Sequence, residues 1–361
     1  MDLKDKIRSL PSCPGVYLMK DAAGNVLYVG KSKNLKNRVG SYFQASRPHP
    51  AKILKLVKHL KDFDYILTDT EFEAFMLECR LIKELLPLYN SVMKNQRSYC
   101  YIRLGIKDEF PDIQICDKAD KEDGSIWFGP YTSRNTAERG LQGIKEYFRI
   151  LCTGTSQKFS SCLNYSLGLC LGTCSGAFPK EQYLAIMDKI ADLLRGTDRS
   201  IIEGMKLRMK EASEQLHFES AAKYRDQLSA VNYLVGKAKV IDYTEKNRNI
   251  VVLERINAET FKFFLIKGSK VLLNEMYFIE NNEPRKLLPV LKAKVQTCFN
   301  NTASKASSKI GRDEIDEAQI IYSYLNSKSG SSIHCVIAKS WLKPSNSGKL
   351  DNAILKLLSQ L

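Results

Sequence analysis

Gly15-Val16-Tyr17-Leu18-Met19-Lys20-Asp21-Ala22-Ala23-Gly24-Asn25-Val26-Leu27-Tyr28-Val29-Gly30 decides how this chain is read. Residues 16–20 and 26–29 have the composition of short strands. The five residues between them carry turn chemistry, because Gly24 accepts a positive φ and Asn25 tolerates one. A basic stretch follows, Lys31-Ser32-Lys33-Asn34-Leu35-Lys36-Asn37-Arg38. Leu35, Val39, Tyr42 and Phe43 stand at i, i+4, i+7 and i+8, the spacing of one helix face. The expected order is hairpin, then helix. Tyr17 and Tyr28 sit on the hairpin, with Lys31 and Arg38 just beyond it.

The charge around this stretch is one-sided. From Lys31 to Lys61 there are nine Lys and Arg residues and no Asp or Glu. Over all 361 residues Lys+Arg is 55 against Asp+Glu 40, a formal net charge of +15. That balance favours a polyanionic partner, and the run itself reads as a track for a phosphate backbone. Lys33, Lys36, Arg47, Lys52 and Lys55 are its candidate DNA contacts. No apolar run reaches membrane-spanning length and no signal peptide opens the chain, so a soluble cytoplasmic protein without a membrane partner is expected.

Phenols beside fixed cations, with no histidine among them, suit phosphodiester hydrolysis. That reaction needs a water deprotonated and a growing phosphoryl charge neutralised. A phenol ionises near about pH 10, and a neighbouring Lys or Arg is expected to lower that value. Gly15-Val16-Tyr17, Tyr28-Val29-Gly30, Lys31, residues 34–38 and Ser41-Tyr42-Phe43 together resemble the GIY-YIG nuclease module. The flanking residues, Pro14 to Met19 and Tyr28 to Leu35, resemble the UvrC excinuclease branch of that module. The resemblance implies Tyr28 as general base with Tyr17 as partner, and Lys31 and Arg38 as stabilisers of phosphate charge. It implies that Tyr42 supports Arg38 or the phosphate. Which tyrosine takes the proton stays open.

Thr68-Asp69-Thr70 supplies a helix N-cap, and Glu71 and Glu73 fall in the first turn, where carboxylates are favoured. On local chemistry either glutamate could hold a cation. The resemblance selects Glu73, through Glu73-Ala74-Phe75-Met76-Leu77-Glu78, as ligand of Mg²⁺ or Mn²⁺. Pro87-Leu88-Tyr89-Asn90 resembles the end of the module and marks Asn90 as a positioning group, with Leu88 where the family usually has Arg.

Cys152, Cys162, Cys170 and Cys174 are spaced C-x9-C-x7-C-x3-C, compatible with structural zinc or a [4Fe–4S] cluster. The segment resembles the cluster-bearing segment of the UvrC family, with Thr173 where Pro is usual. Trp127-Phe128-Gly129-Pro130-Tyr131 reads as a packed aromatic corner. Residues 201–216 and 218–234 read as two helices joined near His217. Leu207, Leu216, Phe218, Ala222, Arg225 and Asp226 resemble the helical hairpin shared by the UvrB and UvrC excinuclease families, which implies docking on a UvrB-type excinuclease subunit. Strands follow at 250–253, 261–266 and 271–279. Residues 299–312 then read as a flexible linker.

The expected fold is α/β. Residues 1–95 form the nuclease module, a mostly antiparallel sheet flanked by helices, and 96–178 a connecting region with the cysteines. Residues 179–238 are helical, with the hairpin at 200–235. Residues 239–361 form a truncated α+β region without a second nuclease site. The expected function is metal-dependent incision of one strand of damaged duplex DNA, on the 3′ side, as in the short single-nuclease homologues. The alternative is a non-catalytic DNA-repair adaptor.

Overall fold

The computed structural model describes residues 3–44, 49–94, 99–105, 111–120, 124–151, 163–173, 176–279, 283–301, 314–327 and 332–361. Two compact units are present, Met1–Asn95 with Tyr243–Leu361, and Gln96–Asp242.

In the first unit α1 (Leu3–Arg8) leads to the hairpin β1 (Gly15–Lys20) and β2 (Val26–Ser32). Asp21 ties the turn by accepting from the N–H groups of Ala23 and Asn25, and Gly24 takes φ 84°. The register sets Tyr17 opposite Gly30 and Met19 opposite Tyr28. Tyr17 and Tyr28 are therefore diagonal neighbours on one face. Only glycine fits opposite Tyr17, since a Cβ at Gly30 would lie 2.4 Å from the phenolic oxygen.

α2 (Leu35–Ser41) starts at Asn34, whose side chain accepts from the N–H of Asn37. Leu35, Val39 and Tyr42 are buried as the spacing predicts, but Phe43 lies in the open just past the helix end. α3 (Ala51–His59) buries Leu56 and leaves Leu54 exposed. β3 (Asp62–Leu67) pairs antiparallel with β1, giving the order β2-β1-β3. The apolar alternation of β3 does not translate into burial. It is an edge strand, and only Phe63 reaches the core beside Leu56 and Leu60, while Tyr65, Ile66 and Leu67 face outward.

α4 (Glu71–Leu85) carries two apolar faces. Ala74 and Ile82 pack on Val16 and Val29 of the hairpin. Phe72 and Cys79 face the other way, onto Ile250, Val252, Phe264 and Ile266.

The second unit holds β4 (Cys100–Leu104), β5 (Ile113–Cys116) and β6 (Ile126–Tyr131) in the antiparallel order β5-β4-β6. The expected aromatic corner is strand β6, with Phe128 and Tyr131 buried. Its helices are α5 (Arg134–Phe148), the short α6 (Leu163–Ser166), α7 (Lys180–Arg195) and α8 (Ser200–Glu214). α9 (Phe218–Glu245) runs well past its expected end. The α8–α9 turn passes through Leu216 at φ 61°.

The chain then returns to the first unit with β7 (Asn249–Arg255), β8 (Thr260–Lys267) and β9 (Lys270–Phe278). α10 (Leu288–Asn301), α11 (Ile315–Leu325), β10 (Ser332–Ile337) and α12 (Ser347–Leu358) complete it. The sheet order is β10-β7-β8-β9, all antiparallel. β7 and β8 are covered on both sides. Leu291, Val295, Leu350 and Ile354 of α10 and α12 pack on one face, and α4 with Ile320 and Ile321 of α11 on the other. Residues 299–301 end α10 rather than begin a linker, and 302–312 lie outside the described residues.

Candidate active site

Tyr17 points from β1 into the core and is 1% exposed. Its oxygen lies 2.8 Å from that of Tyr42, which follows α2. Tyr28 stands beside it with ring centroids 6.1 Å apart, and the Arg38 guanidinium lies 5.2 Å from the Tyr42 ring centroid. Four of the expected site residues thus form one cluster. The expected lowering of the phenols does not occur. Burial pushes both Tyr17 and Tyr28 up, the neighbouring phenols add to this, and Arg38 offsets only a small part. Both remain protonated at neutral pH. Neither is a standing phenolate.

The first turns of α4 face this cluster on one side. Lys31 reaches Glu71 at 2.5 Å and lies 3.7 Å from the Phe75 ring centroid. Its backbone N–H donates to Glu78 at 3.0 Å. Burial raises Glu78 above the usual carboxylate range, with the Lys31 N–H and the charges of Lys31 and Arg38 working against it. Glu78 and Tyr28 line a cavity of about 240 Å³ together with Lys52, Tyr89 and Asn90.

Glu73 is turned away from that cavity. Thr70 and Glu73 form a reciprocal capping box, in which the Thr70 N–H donates to Oε2 of Glu73 at 3.1 Å. Oε1 of Glu73 accepts from Asn274 at 3.0 Å and lies 2.9 Å from the ammonium of Lys262. Lys262 also pairs with Asp69. Glu73 opens on a larger groove of about 810 Å³, lined by Arg80, Lys270 and Asn274 among others. Glu73 and Tyr28 therefore line different cavities. Lys262 and Asn274 carry no local sequence signal for this role, because they lie 193 and 201 residues from their partners.

Asn90 clamps one peptide of β2. Its side chain accepts from the Val29 N–H and donates to the Val29 carbonyl, both at 2.9 Å, which fixes the strand next to Tyr28. Leu88 is exposed. Lys33, Lys36, Lys52 and Lys55 are exposed on the surface of the same unit, and Lys52 donates to Ser91. Arg47 lies outside the described residues. In the other unit Leu207, Leu216 and Phe218 are exposed on the α8–α9 hairpin, with Ala222 half-buried. Arg225 pairs with its neighbour Asp226 at 2.9 Å.

Cys170 is buried and its sulfur accepts from the Gly172 N–H at 3.5 Å. Cys152, Cys162 and Cys174 lie outside the described residues. Among the described residues no helix is long and apolar enough to cross a membrane, and no group of three or more His, Cys, Asp or Glu forms a metal cage.

Residues 13–91 match the model of the UvrC-like GIY-YIG domain. Residues 99–193 match the UvrC/Cho excinuclease middle domain and 199–234 the UvrB/uvrC motif. The chain is 34% identical over 343 residues to UvrABC system protein C of Caldanaerobacter subterraneus subsp. tengcongensis, covering 93% of this chain and 55% of that one. It is 33% identical over 359 residues to UvrABC system protein C of Clostridium perfringens strain SM101, covering 98% and 57%. The magnesium-bound GIY-YIG N-terminal endonuclease domain of UvrC from Thermotoga maritima is 37% identical, covers 25% of this chain and 96% of its own, and gives a TM-score of 0.23. The chain spans a little over half the length of the curated relatives it matches. With a GIY-YIG domain, the middle domain and the shared hairpin motif following one another along the chain, it belongs to the UvrC family.

Proposed function

We propose that the chain is a metal-dependent endodeoxyribonuclease of nucleotide excision repair. It cuts one strand of damaged double-stranded DNA, on the 3′ side of the lesion, while docked on a UvrB-type protein. The observation that carries this reading is the Tyr17–Tyr42 pair at 2.8 Å with Tyr28 and Arg38 against it. A phenol network beside a guanidinium suits charge developing on a phosphate.

Tyr28 takes the proton of the attacking water and releases its own phenolic proton to solvent through the cavity it lines, so that it ends neutral as it began. Arg38 and Lys31 neutralise the phosphoryl charge, Lys31 leaving Glu71 to do so. Asn90 holds the Val29 peptide and with it the aim of Tyr28. Glu73 is the carboxylate that would hold Mg²⁺ or Mn²⁺. The donor set fits a hard cation, because Glu73 and Asp69 already hold an ammonium between them. When bound, that ion would supply positive charge from the Glu73 groove, so the scissile phosphate must sit where that groove and the Tyr28 cavity can both reach it.

Lys33, Lys36, Arg47, Lys52 and Lys55 track the DNA backbone. The exposed Leu207, Leu216 and Phe218, with Ala222, Arg225 and Asp226, form the docking face for the UvrB-type protein. The four cysteines carry a [4Fe–4S] cluster, with zinc as the alternative. A visible absorption band in anaerobically purified protein distinguishes the two.

The test is nicking of end-labelled, lesion-bearing duplex with Mg²⁺, with and without the UvrB-type protein. Nicking on the 3′ side, only with that partner, is expected. Tyr28→Phe, Arg38→Ala and Glu73→Gln should each slow it by about 100-fold or more while DNA binding survives. Undiminished cutting by all three variants would overturn the site. Lesion binding without nicking under any cation would instead favour the non-catalytic adaptor.

A further inference from the structure

The carboxylate assigned to the cation is already engaged on both oxygens. Oε2 caps its own helix through the Thr70 N–H. Oε1 is shared by the Lys262 ammonium at 2.9 Å and the Asn274 amide at 3.0 Å. These two donors come from one face of the C-terminal sheet. β8 sets Lys262 opposite Met276, and β9 sets Asn274 opposite Phe264, so the two are diagonal neighbours. The Lys262 side chain is only 6% exposed and that of Glu73 12%. An apolar clasp keeps them there. The Phe72 ring stacks on Tyr324 with centroids 4.0 Å apart and meets Phe264 edge-on at 5.3 Å. Farther along α4, Lys83 pairs with Glu317 at 2.9 Å.

A divalent ion such as Mg²⁺ binds a carboxylate oxygen at about 2.0–2.1 Å and uses the lone pair that an ammonium hydrogen occupies. An ammonium on the same oxygen also repels it across a few ångströms in a half-buried setting. We infer that Lys262 is a tethered competitor for the catalytic cation, which holds the nuclease site in a resting state until its side chain withdraws from Glu73. The inference rests on reading Glu73 as the metal ligand. It adds that the C-terminal sheet sets the cation concentration at which the site loads. Burial by itself would discourage the charge on Lys262, and Asp69 and Glu73 more than restore it.

The experiment measures Mn²⁺ binding to the full chain without DNA, by electron paramagnetic resonance of the free ion. Lys262→Met should bind Mn²⁺ about tenfold more tightly than wild type, equivalent to about 1.4 kcal/mol. Lys262→Arg, which keeps the charge, should retain wild-type affinity. Adding Glu73→Gln to Lys262→Met should erase the gain. Equal affinity in wild type and Lys262→Met, or equal tightening by Arg, overturns the inference. In that case weaker binding by Glu73→Gln alone leaves the metal assignment standing. A double variant that stays tight removes Glu73 as the ligand and sinks the underlying reading instead. Should Lys262→Met fail to fold, Lys262→Gln gives the same comparison with an uncharged amide in the same space.

Discussion

The two sheets that flank α4 are built from different residues. β1, with Tyr42 from just after α2, buries hydroxyls, and Tyr17 and Tyr42 share a hydrogen bond in the core. β7 and β8 bury hydrocarbon. Val251, Leu253, Phe261, Phe263 and Leu265 are all fully enclosed. Burying a hydroxyl costs unless it is paired, so the N-terminal sheet keeps a polar network whose every member needs its partner. The C-terminal sheet buries few polar side chains, Asn249, Thr260 and Lys262 on β7 and β8, between long apolar runs. Lys262 is the charged residue buried in β8, and it points to the carboxylates of α4. One sheet is built around a hydroxyl network and the other around hydrocarbon, and one lysine of the second reaches Asp69 and Glu73 at the start of α4.

The strongest way to break this contrast is Phe72→Ala. Phe72 is 4% exposed and its ring is the main aromatic link from α4 to the supporting sheet. A loss of about 3–5 kcal/mol in denaturant unfolding is expected. A loss under about 1 kcal/mol would mean that the C-terminal sheet does not brace α4. Gly30→Ala sharpens the other half. The added methyl meets the Tyr17 oxygen at 2.4 Å and the rigid hairpin cannot give way, so about 1–3 kcal/mol and most of the nicking activity should be lost. Full activity in this variant would show that the phenol pair is not held tightly.

The smallest effect at neutral pH is expected for Tyr17→Phe. The folded chain holds the Tyr17 proton more tightly than the unfolded chain, whose phenol has the ordinary value of 10.0. Below that pH both states are protonated and the contribution to stability is intact. Above it only the unfolded chain ionises, so stability falls as pH rises. Removing the hydroxyl should make that alkaline decline shallower in melts between pH 9 and about 11. An unchanged slope would show that Tyr17 ionises freely when folded.

Local signals in the sequence were enough for the elements around the site. Gly24-Asn25 marks the turn, Asn34 caps α2 and Thr70 caps α4, each through contacts within four residues. The clustering of Tyr17, Tyr28, Arg38 and Tyr42 follows from hairpin register and one short helix. Long-range burial was not legible. The phenols are raised because the core closes over them, which no neighbouring residue announces. β3 alternates in sequence, yet it lies at an edge where only Phe63 meets the core. Lys262 and Asn274 reach Glu73 through tertiary pairing alone. α10 was missed, and its end reads as linker in the sequence, although Leu291, Val295 and Phe299 repeat every four residues and are all buried.

The capping box at the start of α4 has one more consequence. Its hydrogen bond holds the rotamer of Glu73, so an ion bound there would leave that side chain little freedom to lose. If Glu73 is the ligand proposed above, helix initiation and the aim of that carboxylate draw on the same threonine.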